Sequence, residues 1–161
     1  MILQYFKKKE NKYKIKSDKL YLNILKKSKS LLNNKFFNEI DFSTSFELIS
    51  ILLIYHLKFF KNKDVKSKKR VNEELMKNLV NDLDKSLRDV GISDMSIGKY
   101  VKKYVKKFYY RLKILDPIFE NDNNEELLNY LNSLEFVNKS NSIELVSQIY
   151  EYFLQIKNYN E

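Results

Sequence analysis

Residues 71–91 read VNEELMKNLVNDLDKSLRDVG and residues 92–111 read ISDMSIGKYVKKYVKKFYYR; this stretch decides the fold. Val71, Leu75, Leu79, Leu83 and Leu87 fall four apart, flanked by Met76 and Val80, which is the repeat of one helical face turned to a core. Gly91 follows, a residue type that enters left-handed backbone at a helix end without a Cβ clash. After a short connector, 92–98, a second period begins: Ile97, Val101, Tyr104, Val105, Phe108, Leu112 and Leu115. Lys99, Lys102, Lys103, Lys106, Lys107 and Lys113 fill the other positions, with no acid among them. The pattern predicts a basic helix-corner-helix element over residues 71–115, ended by Asp116-Pro117.

Working outward, the same reading predicts helices on both sides. Ser17 or Asp18 is expected to cap a first helix running to about Asn33, after a basic and flexible N-terminal segment, 1–16. Thr44-Ser45-Phe46-Glu47 has the spacing of a capping box. The run after it (Leu48, Ile49, Ile51 to Ile54, Leu57) is apolar nearly all round, as a central core helix is. Lys61–Arg70 reads as a charged connector, and Glu125–Leu134 and Ile143–Ile156 as two shorter amphipathic helices. The expectation is therefore an all-α, single-domain bundle of about six helices, with its helical domain over 17–158.

Composition supports this and removes several functions. Two glycines and one proline in 161 residues are too few for a turn-dense β fold. The same two glycines, Gly91 and Gly98, cannot build a P-loop or a dinucleotide fingerprint. With no cysteine and one histidine, a structural zinc site is excluded. His56 lies on the most apolar helix, beside no glycine elbow, so it reads as a packed core histidine rather than a catalytic base. Asp82, Asp84, Asp89 and Asp94 invite a metal cluster, but Asp84 with Arg88 and Lys85 with Asp89 have ion-pair spacing on a helix, and Ser93 or Asp94 suits a helix cap. No catalytic, metal or cofactor-binding residue is expected. The charge-free run Leu48–Leu57 is shorter than the roughly 18–20 residues a bilayer span needs.

The net charge is +9, and its distribution is uneven. Basic residues outnumber acidic ones 11 to 2 over 1–35, 6 to 1 over 61–70 and 7 to 0 over 99–113, whereas 114–161 holds 2 against 9. Such polarity implies an anionic partner for one face. The candidate binding face is Lys99, Lys102, Lys103, Lys106, Lys107, Tyr109 and Arg111. Its lysines with interleaved tyrosines would also suit RNA or a ribosome, although three arginines among thirty basic residues are few for nucleic-acid recognition. An anionic membrane surface fits the charge equally.

Scarce residues cluster between Asp82 and Arg111: both glycines, Arg88 and Arg111. There the chain resembles the ubiquinol–cytochrome c chaperone family. Its signature reads approximately D-x-D-x-x-L-R-E-x-G-V-G-D, then a basic helix, then F-Y-G-R. Here Asp82, Asp84, Leu87, Arg88, Gly91 and Asp94 match, followed by Phe108-Tyr109-Tyr110-Arg111, with Tyr110 where the family commonly has glycine. Phe46-Glu47-Leu48 resembles the family's F-E-L element, and Phe6-Lys7-Lys8-Lys9 with Leu20-Tyr21 resembles its opening. The likeness covers about residues 3–156. It implies a non-enzymatic assembly factor of respiratory complex III whose client is newly made cytochrome b, acting near the ribosomal tunnel exit in mitochondrial members. It also implies a peripheral location at the inner face of the energy-transducing membrane, cytoplasmic in a bacterium. A small-molecule substrate is not implied. Asp82, Asp84, Leu87, Arg88, Gly91, Asp94 and Phe108 are expected to shape the fold, and the lysine face to meet the client.

Overall fold

A computed structural model describes residues 2–59 and 64–159, with side chains described over 12–59 and 64–157. The fold is all-α: α1 (Ile2–Leu31), α2 (Phe42–Phe59), α3 (Val65–Asp89), α4 (Asp94–Glu120), α5 (Asn124–Asn132) and α6 (Ser142–Tyr159), with a 3-10 turn at Lys139–Asn141. No strand occurs among the described residues, only one antiparallel bridge between Phe37 and Val137. The chain divides into two units. The first takes Met1–Asn23 and Lys61–Lys107, the second Ile24–Phe60 and Phe108–Glu161.

In the first unit the four-residue repeat of α3 becomes the core: Val71, Leu75, Leu79, Leu83 and Leu87 are all buried, with Tyr21 and Ile97. Polar contacts tie α1 to α3 at successive levels. The Tyr13 hydroxyl lies 3.0 Å from that of Ser67. Further along, Asn78 Nδ2 donates to Asp18 Oδ1 at 3.0 Å, and Tyr21 donates to Asp82 Oδ2 at 2.9 Å. Residue numbers rise together on both helices, so the two run in the same sense.

Two helix starts differ from expectation. α1 begins at Ile2, so Ser17 is not a cap; it sits within the helix, wholly buried, with its hydroxyl donating to the Lys14 carbonyl. A serine that bonds back into its own helix loses its capping preference, and sequence cannot tell the two roles apart. α3 begins at Val65, within the expected connector, because Asp64 caps it by accepting from the Ser67 amide at 2.7 Å. The first part of that connector, 61–63, lies outside the described residues.

In the second unit α2 is the central helix. Leu48 and Ile51 to Tyr55 are essentially inaccessible, and Phe36, Phe37, Phe108, Leu115, Phe119, Leu127, Leu145, Ile149 and Phe153 are buried in the same unit. Tyr55 stacks on Phe153 with ring centres 3.5 Å apart, and Phe119 meets both edge-on. At 18 residues α2 is long and apolar enough by composition to cross a bilayer, but 61% of it is buried in the fold. The expected capping box is not formed. Asp41 caps instead, accepting from the Thr44 amide and hydroxyl, which releases Glu47 for another role.

Asp116-Pro117 does not end α4, which continues to Glu120. Proline removes only the donor that would serve the Lys113 carbonyl one turn back, and the carbonyls of Pro117, Ile118 and Phe119 still accept from the amides of Asn121, Asn123 and Asp122. Lys58 Nζ steadies this end by donating to the Asp116 carbonyl at 2.9 Å and its carboxylate at 2.8 Å. The turn after it places Asp122 at φ +47, with the Asn123 amide reaching back to the Ile118 carbonyl. That is the geometry glycine usually supplies at a helix end.

Candidate client-binding surface

The candidate surface starts at the corner between α3 and α4. Gly91 has φ +94; its amide donates to the Arg88 carbonyl at 2.9 Å and the Ile92 amide to Leu87 at 3.1 Å. This pair of bonds is a Schellman ending, and it requires the left-handed backbone that glycine tolerates. Ser93 then opens α4, its carbonyl accepting from Ile97 at 3.0 Å. Arg88 clasps the corner: Nε donates to Asp84 at 2.7 Å, and Nη1 reaches Asp94. The acids that suggested a metal are therefore arginine partners, apart from Asp82, which accepts from Tyr21, and Asp89. Gly98 is no part of the connector. It lies inside α4, exposed, with nothing within 4 Å of where a Cβ would stand.

Lys99, Lys102, Lys103 and Lys106 are exposed and Lys107 half-buried. The first four form no ion pair among the described residues. Lys107 lies over the Tyr104 ring, 4.8 Å from its centre. Met95 extends the same stripe, one turn before Lys99, and is wholly exposed. Alongside it, α3 and α4 leave an open groove of about 410 Å³ lined by Val80, Val101 and Val105, with Asp84 and Lys102 at its rim and Gly98 in its wall. Cationic and apolar surface thus lie together in the first unit. Tyr109, further along α4, is 54% exposed.

Arg111 does not belong to this face. It lies in the second unit, where Nε donates to Glu47 Oε2 at 2.9 Å and the guanidinium lies over the Phe46 ring. Tyr130 donates to the other oxygen of the same carboxylate. Glu47 is 3% exposed, so the two donors replace the water it has lost. Burial first, and then the Glu47 charge, hold the Tyr130 phenol far above its ordinary pKa. Counting round α4 at 100° per residue separates Arg111 by about 120° from Lys99, a signal present in the sequence. The partner in Glu47 is hidden there, because its spacing from Thr44 offers a capping box.

His56 is buried, with Nε2 3.0 Å from the Tyr152 hydroxyl and Nδ1 unpartnered. Burial pushes its pKa down to about 4. Above pH 6.5 the ring is neutral whether the chain is folded or not. Between pH 6.5 and 4 the unfolded chain takes up a proton that the fold refuses, so stability falls as pH falls through this window. The slope should approach ~1.4 kcal/mol per pH unit. Urea midpoints at pH 7 and 4.5 should show it, and His56→Gln, which keeps a polar group near Tyr152 without titrating, should flatten it. An equal pH dependence in the two proteins would exclude His56 as its source.

The sequence profile described as ubiquinol-cytochrome C chaperone matches residues 34–155, about three quarters of the chain. Among solved structures, the crystal structure of the Cbp3 homolog from Brucella abortus is similar, with a TM-score of 0.68 and 22% identity over 98% of this chain and 88% of that one. At this identity the likeness speaks for the fold. No curated protein matches the chain.

Proposed function

The chain belongs to the ubiquinol–cytochrome c chaperone family, whose members assist the assembly of complex III, and from that premise we propose that its client is newly synthesised cytochrome b, held by binding rather than catalysis. The observation that carries this reading is the first unit's surface, where α4 exposes Lys99, Lys102, Lys103 and Lys106 and an apolar groove opens with Lys102 at its rim. A membrane subunit awaiting assembly offers matching chemistry: apolar helices, and around them anionic lipid headgroups. The lysine stripe would engage the headgroups and any acidic loop, while Met95 and the valines of the groove would meet apolar helix. The protein would then act at the inner face of the energy-transducing membrane, as a peripheral partner.

The test is recovery of the tagged full-length chain from a membrane-bearing lysate, with quantitation of the proteins enriched. Cytochrome b should be enriched at least ten-fold over other membrane subunits. Recovery of ribosomes or RNA in its place, sensitive to nuclease, would favour the nucleic-acid alternative and reject this reading.

A further inference from the structure

The last third of the chain reverses the charge of the rest, with 9 acids against 2 bases over 114–161, and in the second unit this has a shaped consequence. α5 and α6 pack on each other, and Leu127 and Leu131 of the one and Leu145 and Ile149 of the other are buried. A second stripe of α6 lies at the edge of that packing, with Val146 buried and Tyr150 half-buried between two exposed ends. Ile143, Val146, Tyr150 and Leu154 follow one another at intervals of three, four and four, which spans three turns, or about 16 Å, of helix. Its two ends are open, with Ile143 72% and Leu154 57% exposed. Together with Leu128 of α5 they line a groove of about 630 Å³. Glu125 and Glu151 stand on its rim, and among the described residues no lysine or arginine lines it. The Tyr150 hydroxyl, in the groove wall, is shielded from solvent and has no hydrogen-bond partner. A polar group in that state gains by meeting a donor or acceptor brought from outside.

We infer that the α5–α6 groove holds the lysine- or arginine-flanked end of an apolar helix of the client. The inference rests on the client being a membrane protein. The cytoplasmic ends of membrane helices carry an excess of lysine and arginine beside apolar sequence, and this groove pairs apolar floor with acidic rim. Nucleic acid and anionic lipid are repelled by the same glutamates. Two surfaces of opposite charge thereby share the client between them. The α4 stripe suits the headgroups, and the α5–α6 groove suits the basic protein segment that those lysines would repel. Three turns of groove match an amphipathic helix with anchors at i, i+3, i+7 and i+11, a helix-in-groove mode of recognition.

The probe is a fluorescein-labelled 16-residue helical peptide with leucine at those four positions and lysine flanks, titrated into the full chain by anisotropy. Saturable binding is expected. Glu125→Lys with Glu151→Lys should weaken it at least ten-fold, and so should Ile143→Asp with Leu154→Asp. All four positions are exposed on helices, and unchanged circular dichroism would show the fold intact. A matched peptide with glutamate flanks should bind at least ten-fold more weakly. No saturable binding to the wild type, equal binding by both variants, or equal binding of the glutamate peptide would overturn the inference. Recovery of cytochrome b by the groove variants at wild-type level would also overturn it, leaving the proposed function intact. Failure of the wild type to recover cytochrome b would reject that function, and the peptide titration would still decide what the groove binds.

Discussion

Replacing Glu47 by alanine should cost the fold about 3–5 kcal/mol, the range for breaking a buried ion pair from one side. The carboxylate is 3% exposed and serves two donors at once, Arg111 and Tyr130. Without it the guanidinium loses its charge partner and the Tyr130 hydroxyl its acceptor, in a setting that admits little water. The Arg111 side chain is 21% exposed and can recover some hydration, which draws the cost toward the lower end of the range. Glu47→Gln keeps an acceptor for Tyr130 and should cost less. The pair Glu47→Leu with Arg111→Met should cost less than the sum of its parts, because the guanidinium is no longer left without Glu47, while the Tyr130 hydroxyl still loses its acceptor and that part of the cost remains. Urea unfolding should show a lower midpoint at an unchanged slope. A loss below about 1 kcal/mol for the alanine variant, small for any single substitution, would mean that the carboxylate is replaceable by water.

That carboxylate explains much of what the signature residues do. Glu47, from the F-E-L element, meets Arg111, from the F-Y-x-R element, 64 residues away. Tyr21, from the opening, meets Asp82, and Arg88 meets Asp84 and Asp94. The resemblance thus rests on residues that pair with one another inside each unit. They fix the corner and anchor α2 to α4, and their side chains are spent in doing so. Client recognition falls to surfaces beside them, whose chemistry is set by charge and exposure rather than by a motif.

The same distinction separates what is legible in the sequence from what is not. The core of α3 is legible because a four-residue apolar repeat has one structural meaning, and Gly91 because a lone glycine after it has one use at a helix end. Helix starts are less legible. Ser17, Thr44 and Asp64 are all competent caps, and which of them acts depends on contacts that sequence does not display. Pro117 misleads because its ordinary effect is strongest in a helix interior and here it falls near the last turn. Glu47 is invisible as a partner of Arg111 since its own neighbourhood offers a local role. The α5–α6 groove is hidden for a different reason: its apolar residues read as core, and only accessibility separates Leu145, wholly buried, from Leu154, 57% exposed.

Reversing Lys102, Lys103, Lys106 and Lys107 together to glutamate should abolish recovery of cytochrome b and flotation on vesicles containing anionic lipid, with helicity retained. Each lysine near an anionic surface contributes about 1 kcal/mol, so removing four attractions and adding four repulsions exceeds roughly a thousand-fold even after screening at physiological salt. Folding is insulated from the change. Among the described residues Lys102, Lys103 and Lys106 hold no carboxylate, and Lys107 contributes a stacking contact over Tyr104. Like charges at three- and four-residue spacing also repel along a helix by a few tenths of a kcal/mol per pair. In the free protein the stripe is therefore slightly destabilising, and an anionic partner relieves it. The sharper variant is accordingly Lys→Gln at the same four positions. It should raise the unfolding midpoint a little while still weakening vesicle binding at least ten-fold, opposite signs that general damage to the fold would not produce. Recovery of cytochrome b at wild-type level by both variants would remove the lysine stripe from the client-binding surface and leave recognition to the apolar grooves.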